Sequence, residues 1–522
     1  MWEGLFLKIR ILVFFLTMLA LNNQSHSSRI IEHILDRYGE KIFKYSRQSY
    51  KNVFKKACSH DYLVPQKNEK VVIIGAGPSG IHMSALLKES GFSDVTILEK
   101  TDRVGGKSLT LYDDDGTPQE MGTCYTIPYK YQELRRIVDQ YNLPFKEIPV
   151  LPRWCYQGGF TQTSHIEQTE WLLSEVKKKS ILYHLDLLAS AKLFKDACEY
   201  IHKHKRLFNE DSELNAIIYN TQMTFKDYLI KNNLDSLIPM FSLANTVQGY
   251  GYIEDVPAIY GLWWNSPEEV LGFVKASLVK GRQPAYILEK GFQVIWEDLQ
   301  KKTGYPIHFN QDLNITRKNG KIHIKDNNLK IETLADFLIV SSPINSVKIS
   351  DLSSKETRIV NLLDSTANLA VTLFSVDKIP ENFPAIHSWI ESIEPKNDGS
   401  LMSIRSTSRL LNKKSALNKE FWCGYQYLKK ENSMSQNELQ EKLMNDLYSV
   451  PFVKNPKIIS QKVWPYFTRP HNIGAENNNF FDNLIHLHGD QKTWYIGSSV
   501  GFESVHDVME RNRFLVDTFI SK

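Results

Sequence analysis

Three glycines and one acid have the types and the spacing of a nucleotide-binding site. Gly75 permits a tight turn, Gly77 lets the backbone approach a pyrophosphate, and Gly80 lets a following helix pack close to a strand. Glu99 lies about 20 residues further on, where a carboxylate can accept hydrogen bonds from ribose hydroxyls. The pattern predicts a bound dinucleotide, and an ordinary glycine-rich turn is the alternative.

The elements around these residues must be a strand, a turn, a helix and a second strand. The apolar run 71–74 precedes the glycines, a helix-like run follows them, and the apolar run 95–98 leads into Glu99. Free N–H groups at the helix N-terminus, with the positive end of the helix dipole, would face the phosphates. A glycine triplet alone is a weak signal, but here every flanking element is present.

A second glycine segment indicates which dinucleotide is bound. In Arg103-Val-Gly105-Gly106 the twin glycine lets backbone pass beside a second phosphate, and Arg103 adds positive charge. The sequence Glu-Met-Gly-Thr follows at 120–123. With the first glycines and the acid, these motifs resemble the FAD-binding amine oxidase superfamily. The resemblance implies FAD rather than NAD, with the twin-glycine segment running along the cofactor towards the flavin.

The end of the chain also resembles this superfamily. Residues 494–497 are similar to its closing strand, and 501–519 to the closing helix, whose N-terminus lies under the flavin. Ser498 replaces the glutamate that the superfamily usually places at the ribityl chain. Residues 335–343 resemble the strand that returns to the FAD domain, and Ile315 lies on a strand that contacts the adenine through its backbone in the superfamily.

Cofactor-binding residues are therefore expected in several parts of the chain. No attachment motif is evident near the C-terminus, so the prediction is non-covalent FAD. The candidate cofactor-binding residues are Gly75, Gly77, Pro78, Ser79, Gly80, Glu99, Lys100, Arg103, Gly105, Gly106, Lys107, Gly122, Ile315, Gly497, Ser498 and Val508.

A finer resemblance covers roughly residues 70–520 and concerns one branch of the superfamily, the flavin-dependent double-bond isomerases of polyunsaturated fatty acids (linoleate isomerase-like). It rests on the motifs above and on GYGYIEDVPAIY at 249–260. The branch implies a long apolar substrate past the flavin and hydride chemistry at an allylic carbon. In this class the cofactor carries the chemistry, while the protein orients the reacting carbon and excludes water.

Aromatic residues between the cofactor motifs could line a lipophilic tunnel, although core packing is the alternative for each ring. Arg153 lies near where the isomerase branch carries an arginine for the substrate carboxylate, and a solvated arginine is the alternative. The substrate candidates are Arg153, Tyr250, Trp464 and Tyr466. His506 and Asp507, near the start of the closing helix, are the candidates for a catalytic pair.

Three functions remain open. The first is hydride transfer between FAD and a carbon of an apolar, unsaturated, lipid-like substrate, in a double-bond isomerase, dehydrogenase or oxidase. The second is a secreted amine or amino-acid oxidase that releases peroxide. The third is a catalytically silent secreted flavoprotein that acts as a binding module, which Ser498 favours slightly.

The expected fold class is α/β. A Rossmann-like FAD-binding domain of the glutathione-reductase type should carry an inserted, mixed α+β substrate domain, since 522 residues exceed one compact unit. The second segment of the substrate domain, residues 351–484, should contain strands and one helix near 436–448. The expected segments are 68–130, 285–350 and 485–522 for the FAD-binding domain, and 131–284 and 351–484 for the substrate-binding domain.

The N-terminus is typical of a targeting segment. Lys8 and Arg10 precede the apolar run 11–21, which is too short to span a bilayer. Residues 1–27 are expected to be a signal peptide of a secreted or secretory-lumen protein, and a signal-anchored membrane protein is the alternative. Residues 28–67 are expected to form a basic helical extension that either contacts a membrane surface or, as we favour, packs on the catalytic body.

The net charge and the cysteine content limit the classes of molecule that the protein is expected to bind. The 63 basic and 59 acidic residues leave a net charge of +4, too small to indicate nucleic acid. The five cysteines form no CxxC pair and no metal-type spacing, so no metal site is expected. The expected partner is a small apolar substrate, and the sequence carries no indication of oligomeric state.

Overall fold

The structure, a computed structural model, describes residues 63–127, 130–150, 153–177, 223–265, 285–328, 332–413, 418–470, 480, 484 and 487–520. The expected signal peptide, the basic extension up to residue 62 and the middle of the first insertion lie outside these ranges. In the ranges that are described, no helix combines the length and the apolar character needed to cross a membrane.

The described strands and helices are numbered in chain order. The strands are β1 (Val71–Ile74), β2 (Val95–Leu98), β3 (Thr110–Tyr112), β4 (Pro118–Glu120), β5 (Glu147–Pro149), β6 (Arg153–Tyr156), β7 (Ile166–Glu167), β8 (Tyr286–Leu288), β9 (Ile307–His308), β10 (Leu313–Lys318), β11 (Lys321–Asp326), β12 (Glu332–Ala335), β13 (Phe337–Val340), β14 (Lys348–Ile349), β15 (Leu363–Asp377), β16 (Ile386–Trp389), β17 (Leu401–Arg405), β18 (Lys419–Lys429), β19 (Lys457–Pro470) and β20 (Thr493–Tyr495). The α-helices are α1 (Pro78–Glu89), α2 (Gln132–Tyr141), α3 (Gln168–Lys177), α4 (Phe225–Lys231), α5 (Ile238–Val247), α6 (Ala258–Trp264), α7 (Gln293–Thr303), α8 (Ser354–Leu362), α9 (Thr407–Leu410), α10 (Gln436–Ser449) and α11 (Val505–Phe519).

A five-stranded parallel sheet, in the order β20-β13-β1-β2-β9, carries the nucleotide motifs. β1, β2 and β13 are apolar runs that are buried along their whole length, as expected for parallel strands covered on both faces. Val71 and Ile73 pack with α1, α7 and α11, while Val72 and Ile74 belong to a second core on the other face. The expected Rossmann-like α/β fold is confirmed.

Smaller sheets flank this one. A four-stranded sheet, in the order β12-β11-β10-β14, contributes Ile315 to the second core. β3 and β4 form a hairpin, and β5 pairs with β8. The β3–β4 hairpin ends at Glu120, so it places the segment that follows, from Met121 onwards, beside the larger sheet described next.

A seven-stranded sheet, in the order β19-β15-β18-β17-β16-β6-β7, is built from 153–167 and 363–470. β16 and β6 run parallel, and the other neighbours run antiparallel. One face is covered by α10 through Leu443 and Leu447, which share a core with Trp422. α10 begins with a capping box between Ser435 and Glu438, and it confirms the helix predicted near 436–448.

The opposite face of this sheet is turned towards the segment after the hairpin. Met121 shares a core there with Cys155, Cys423 and Tyr425. We call this side the Met121 face and the other side the α10 face. Side chains alternate between the two along each strand.

Candidate active site

The turn between β1 and α1 has room only for glycine at two positions. Gly75 has a φ of 104°, and a Cβ there would lie 2.8 Å from the Ser342 hydroxyl oxygen. A Cβ on Gly80 would lie 2.0 Å from the Gly75 carbonyl oxygen. Among the described residues, a Cβ on Gly77 would meet only the Gly106 Cα, at 3.8 Å. Space therefore remains at the start of α1, where no side chain caps the helix N–H groups.

Glu99 follows β2 beside this turn and is buried. Its carboxylate accepts hydrogen bonds from the Ala76 N–H at 2.6 Å and from the Thr101 N–H and hydroxyl, each at 2.8 Å. Because a carboxylate can accept about four hydrogen bonds, one position remains for a ribose hydroxyl. The three internal bonds hold the carboxylate in the orientation that such a contact needs.

The three predicted glycine segments come together. A Cβ on Gly106 would lie 2.9 Å from the Gly77 Cα, so the twin-glycine segment touches the first turn. A Cβ on Gly122 would lie 1.9 Å from the Lys107 carbonyl oxygen, so the third segment touches the second. Only residues without side chains allow this approach. The result is one continuous backbone surface, here called the glycine surface.

Two cationic residues that were predicted to lie near the phosphates, Arg103 and Lys100, are placed differently in the structure. Arg103 donates to main-chain carbonyls of its own turn, those of Val104, Gly106 and Ser108, so its guanidinium holds the turn together. Lys100 is exposed. The structure therefore does not support a direct phosphate contact by the Arg103 side chain, because carbonyls of the turn already accept its donors.

Lys107 links the glycine surface to two other regions. Its ammonium group donates to a Glu503 carboxylate oxygen at 2.8 Å and to the Pro465 carbonyl at 3.0 Å. The same group lies 4.8 Å from the centre of the Tyr466 ring. This ion pair ties the glycine surface to β19 and to the segment before α11, and the predicted cofactor contact of Lys107 stays a prediction.

The closing segment after β20 passes close to β13. Gly497 has a φ of 91°, and a Cβ there would lie 2.4 Å from the Ser341 carbonyl oxygen, so glycine is required. Ser498 follows and is half-buried. α11 then begins after Ser504, whose hydroxyl accepts from the Asp507 N–H at 3.0 Å. The predicted closing strand and closing helix are both present.

Two other predicted cofactor contacts are not supported. The Ile315 carbonyl accepts from the Ser350 N–H at 2.9 Å and from the Ser350 hydroxyl at 3.1 Å, which uses both of its lone pairs. The Val508 side chain is buried in the core that contains α1, and its N–H donates to the Ser504 carbonyl at 3.2 Å. Both residues serve the packing of the fold.

The predicted His506–Asp507 catalytic pair is not supported either. The Asp507 carboxylate accepts from the Trp263 indole N–H at 3.0 Å and from the Ser504 hydroxyl at 2.5 Å. The ring centre of His506 lies 5.9 Å from that of Tyr131. Asp507 therefore caps α11 and anchors α6, a role that explains an acid at this position without catalysis.

The predicted substrate aromatics border the glycine surface and the closing segment. Trp464 donates its indole N–H to the Met121 carbonyl at 2.6 Å. Tyr250 and Tyr466 donate their hydroxyls to the Glu503 carbonyl at 2.8 Å and 3.4 Å. Their rings take part in packing, as the alternative interpretation expected, and their role in substrate binding stays a prediction.

Glu120 is a buried acid of this region. It accepts from the Phe292 N–H at 2.6 Å and from the Thr110 hydroxyl at 2.8 Å. Burial raises the pKa of Glu120 to about 7. Its main-chain carbonyl accepts from Nη2 of Arg405 at 3.4 Å.

The predicted substrate residue Arg153 has a second arginine as its neighbour. β6, β16 and β17 align Arg153, Ile386 and Arg405 in one row, and such a row points to one face of a sheet. The guanidinium carbons of Arg153 and Arg405 each lie 5.7 Å from the centre of the Tyr125 ring. The guanidinium carbon of Arg405 also lies 5.8 Å from the centre of the Tyr425 ring. The two arginines therefore flank the segment that continues the glycine surface.

The sequence matches the family of flavin containing amine oxidoreductases over residues 78–471. The chain belongs to this family. A flavin is accordingly its cofactor, and the protein is an enzyme with oxidoreductase and isomerase relatives.

Individual family members are similar to parts of the chain. The polyenoic fatty acid isomerase of Ptilota filicina is 25% identical over 229 residues, which are 40% of this chain and 43% of that protein. The L-amino-acid oxidase of Trimeresurus stejnegeri is 27% identical over 168 residues, 31% of this chain and 30% of the oxidase. The chain thus spans less than half the length of these curated relatives.

Solved structures share the fold over a longer range. The CLA-producing fatty acid isomerase from P. acnes superposes with a TM-score of 0.70 at 20% identity, covering 87% of this chain and all of that one. A putrescine oxidase variant superposes with a TM-score of 0.62 at 12% identity, covering 87% of this chain and 99% of that one.

The residues of the site fit a flavin nucleotide. Open space at Gly77, uncapped N–H groups at the start of α1 and the remaining acceptor position of Glu99 supply what phosphates and a ribose need. Sequence reasoning missed Arg405, Tyr125 and Tyr425. An available signal was Arg405 itself, which ends the mostly apolar, fully buried strand β17.

Proposed function

We propose that this enzyme binds FAD non-covalently and transfers hydride to or from a carbon of an apolar, unsaturated, lipid-like substrate. The FAD flavin would supply the hydride acceptor and donor. The backbone of the glycine surface would hold the phosphates, and Glu99 would bind the ribose. The Met121 face would orient the substrate and keep water away from it.

The observation that carries this proposal is the apolar character of the Met121 face. Leu369, Val371 and Leu373 of β15 are buried there in one core with Tyr427 and Trp464. Trp464 is hydrogen-bonded to Met121, one residue before Gly122 of the glycine surface. An apolar wall beside the glycine surface suits a hydrocarbon chain better than a polar substrate. Similarity to two fatty acid isomerases supports the same substrate class.

Anaerobic incubation of the purified flavoprotein with polyunsaturated fatty acids tests the proposal. Conjugated-diene absorbance without lasting flavin reduction would identify an isomerase. Stoichiometric bleaching of the flavin would identify a dehydrogenase, and peroxide on admission of air would identify an oxidase. If no polyunsaturated lipid gave conjugated-diene absorbance or bleached the flavin, the proposal would be refuted.

An amino-acid or amine oxidase is the second candidate, favoured by similarity to L-amino-acid oxidases and to a flavin-containing amine oxidase of Oncorhynchus mykiss. Peroxide release over a panel of amino acids and amines, with inactivity on lipids, would establish it. The two candidates differ in the charge of the group that reacts, so the same panel separates them.

We also propose export through a signal peptide at residues 1–27, followed by a basic extension that packs on the catalytic body. The charged start and the short apolar run support this proposal. N-terminal sequencing of the protein from a eukaryotic secretion host tests it. A retained Met1 in material that stays in the membrane would favour a signal anchor instead.

A further inference from the structure

A network of buried polar side chains joins three helices behind the first turn of α1. The amide nitrogen of Asn512, on α11, donates to the main-chain carbonyl of Ser79 at 2.7 Å and lies 3.4 Å from Nδ1 of His82. Nε2 of His82 lies 3.0 Å from a carboxylate oxygen of Glu133, on α2. Asn512 and His82 are 0% exposed, and Glu133 is 5% exposed. We call Asn512, His82 and Glu133 the three-helix network.

The acceptor at one end sets the direction of every hydrogen bond in the three-helix network. The Ser79 carbonyl oxygen can only accept, so the nitrogen of the Asn512 amide must face it. The second hydrogen of that nitrogen is then directed at Nδ1 of His82, which accepts it. The imidazole hydrogen is therefore on Nε2, where it is donated to Glu133. The network thus runs from Asn512 through one tautomer of His82 to a carboxylate.

The other end of the network contacts α1 a second time. Glu133 also accepts from Nε and Nη2 of Arg136, at 2.9 Å and 2.7 Å. Arg136 in turn donates to Glu89, the last residue of α1, at 3.2 Å. Burial opposes the charged form of Glu133, but the hydrogen bonds from His82 and Arg136 outweigh burial and lower its pKa to about 2. α2 therefore holds α1 near both of its ends, which fixes the position of α1 along its axis.

Apolar contacts make up much of the same interface. Ile81, Met83 and Leu87 of α1 are fully buried in one core with Met509 of α11 and Ile137 of α2. Such contacts stabilise the helices without any polar group, and burying polar groups among them costs free energy. Apolar contacts are also non-directional, whereas hydrogen bonds require a narrow geometry. The three-helix network therefore contributes orientation more than stability.

The network orients the first turn of α1, whose free N–H groups are expected to face the phosphates. Pro78 has no N–H, and the first main-chain hydrogen bond of α1 is donated by Ile81. The N–H groups of Ser79 and Gly80 therefore precede the helical hydrogen bonds. The Ser79 carbonyl and the Gly80 N–H belong to one planar peptide unit and point in opposite directions. The hydrogen bond from Asn512 to this carbonyl consequently sets the direction of the Gly80 N–H.

We propose that Asn512, His82 and Glu133 are positioning residues for the pyrophosphate of FAD. They hold the peptide unit between Ser79 and Gly80 so that its N–H is directed to the phosphates. This inference rests on the proposed binding of FAD at the glycine surface, and it adds buried residues that act through Ser79. A donor that is already oriented loses less freedom when a phosphate binds, so the network should raise the affinity for FAD.

Three substitutions in the holoenzyme test the proposal. The dissociation constant of FAD is measured from the flavin fluorescence released on dilution, and phosphorus NMR of the bound cofactor reports the surroundings of its phosphates. Asn512→Asp places an oxygen against the Ser79 carbonyl, so it should shift the phosphorus signals and weaken FAD binding by about tenfold. His82→Leu removes the acceptor of the second Asn512 hydrogen and should shift the signals and weaken FAD binding by about fivefold. His82→Gln supplies an acceptor and a donor without an imidazole, so its FAD affinity should stay within about twofold of the unaltered protein.

Control measurements separate positioning from the stability of the helices. Leu87 is fully buried and lies on another face of α1 than His82. Leu87→Ala should lower the melting temperature and change FAD affinity by less than about twofold. His82→Leu should show the reverse, because an apolar side chain suits this core and Glu133 keeps its hydrogen bonds from Arg136. Should Asn512→Asp not fold, His82→Leu therefore decides.

Unchanged phosphorus signals and FAD affinity in His82→Leu would overturn the proposal. So would an equal loss of affinity in Leu87→Ala and His82→Leu, since FAD binding would then follow the stability of the helices. A protein that binds no FAD would refute the proposed function and this inference together. Shifted phosphorus signals in a protein that is inactive on every lipid would support the three-helix network and refute the proposed substrate, so the two failures are distinguishable.

Discussion

The α10 face and the Met121 face of the seven-stranded sheet both bury polar side chains, on neighbouring positions of the same strands. On the α10 face His387 lies beside Ile404, and its two ring nitrogens contact the Tyr156 hydroxyl at 2.8 Å and the Pro384 carbonyl at 3.1 Å. On the Met121 face Arg405 lies beside Ile386 and retains donors without acceptors. Both faces thus leave buried donors without acceptors among the described residues, the neutral indole N–H groups of Trp389 and Trp422 on the α10 face and a charged guanidinium on the Met121 face.

This difference separates the face that stabilises the fold from the face that borders the candidate site. Buried polar groups are normally paired, because an unpaired one loses its hydration without compensation. On the α10 face the titratable side chain, His387, follows that rule, because both of its ring nitrogens have partners. The Met121 face departs from it where the glycine surface meets the sheet, which is the expected place for a binding site.

Leu443→Ala should disrupt the packing on the α10 face, and its effect on the free energy of unfolding should be the largest among these variants. Leu443 is fully buried between α10 and the sheet. Its truncation leaves a cavity, so the free energy of unfolding should fall by about 2–5 kcal/mol. Chemical denaturation measures the loss, and the flavin absorption spectrum should remain that of the unaltered protein. A changed spectrum would mean that the two faces are coupled.

Glu120→Gln should change the pH dependence of stability on the Met121 side. Because the pKa of Glu120 is raised to about 7, the folded protein takes up a proton that the unfolded chain does not bind between about pH 4.5 and 7. This carboxyl therefore removes stability as the pH rises through that window, by about 3 kcal/mol in total. The variant should be relatively more stable than the unaltered protein at pH 8 and lose this advantage at pH 4.5, as measured by urea titrations.

His387→Gln should show the opposite pH dependence on the α10 face. Burial lowers the pKa of His387 to about 3, so the unfolded chain binds a proton below about pH 6.5 that the folded protein does not. His387 therefore removes stability as the pH falls, by about 2 kcal/mol between pH 6.5 and 5. The stability difference between the two proteins should shrink over this interval. A difference independent of pH would contradict a buried neutral imidazole.

A matched pair of tyrosine variants should show the smallest changes in the free energy of unfolding, and it compares the two faces directly. Tyr156→Phe removes the partner of a buried His387 nitrogen and should lower the free energy of unfolding by about 1–2 kcal/mol. Tyr425→Phe removes a hydroxyl that has no partner among the described residues, so stability should change by less than about 0.5 kcal/mol. Equal losses in the two variants would show that Tyr425 is satisfied within the protein.

Local patterns of the chain were enough to predict the glycine surface and α10. Gly75 and Gly80 are required by backbone approaches within one strand, turn and helix. The capping box at Ser435 and the apolar spacing of α10 are also contained in a short stretch. These features depend on neighbours in sequence, so their residue types carry the information.

The roles of individual charged side chains needed the tertiary structure. Arg103 and Lys107 lie in the predicted motif, but their donors are used by carbonyls of the turn and by Glu503, which is 396 residues from Lys107. A motif places a side chain near a site without deciding which acceptor lies closest. That decision depends on packing between distant segments.

Short motifs of the chain were enough to predict the family, the flavin cofactor and the backbone that would hold it. That Arg153, Arg405 and Tyr425 share a face beside Tyr125 follows from strand order and register, which join segments separated by hundreds of residues. A register shifted by one residue would turn Arg405 to the α10 face. No local pattern specifies that register, so the incomplete partners of Arg405 became visible only in the assembled sheet.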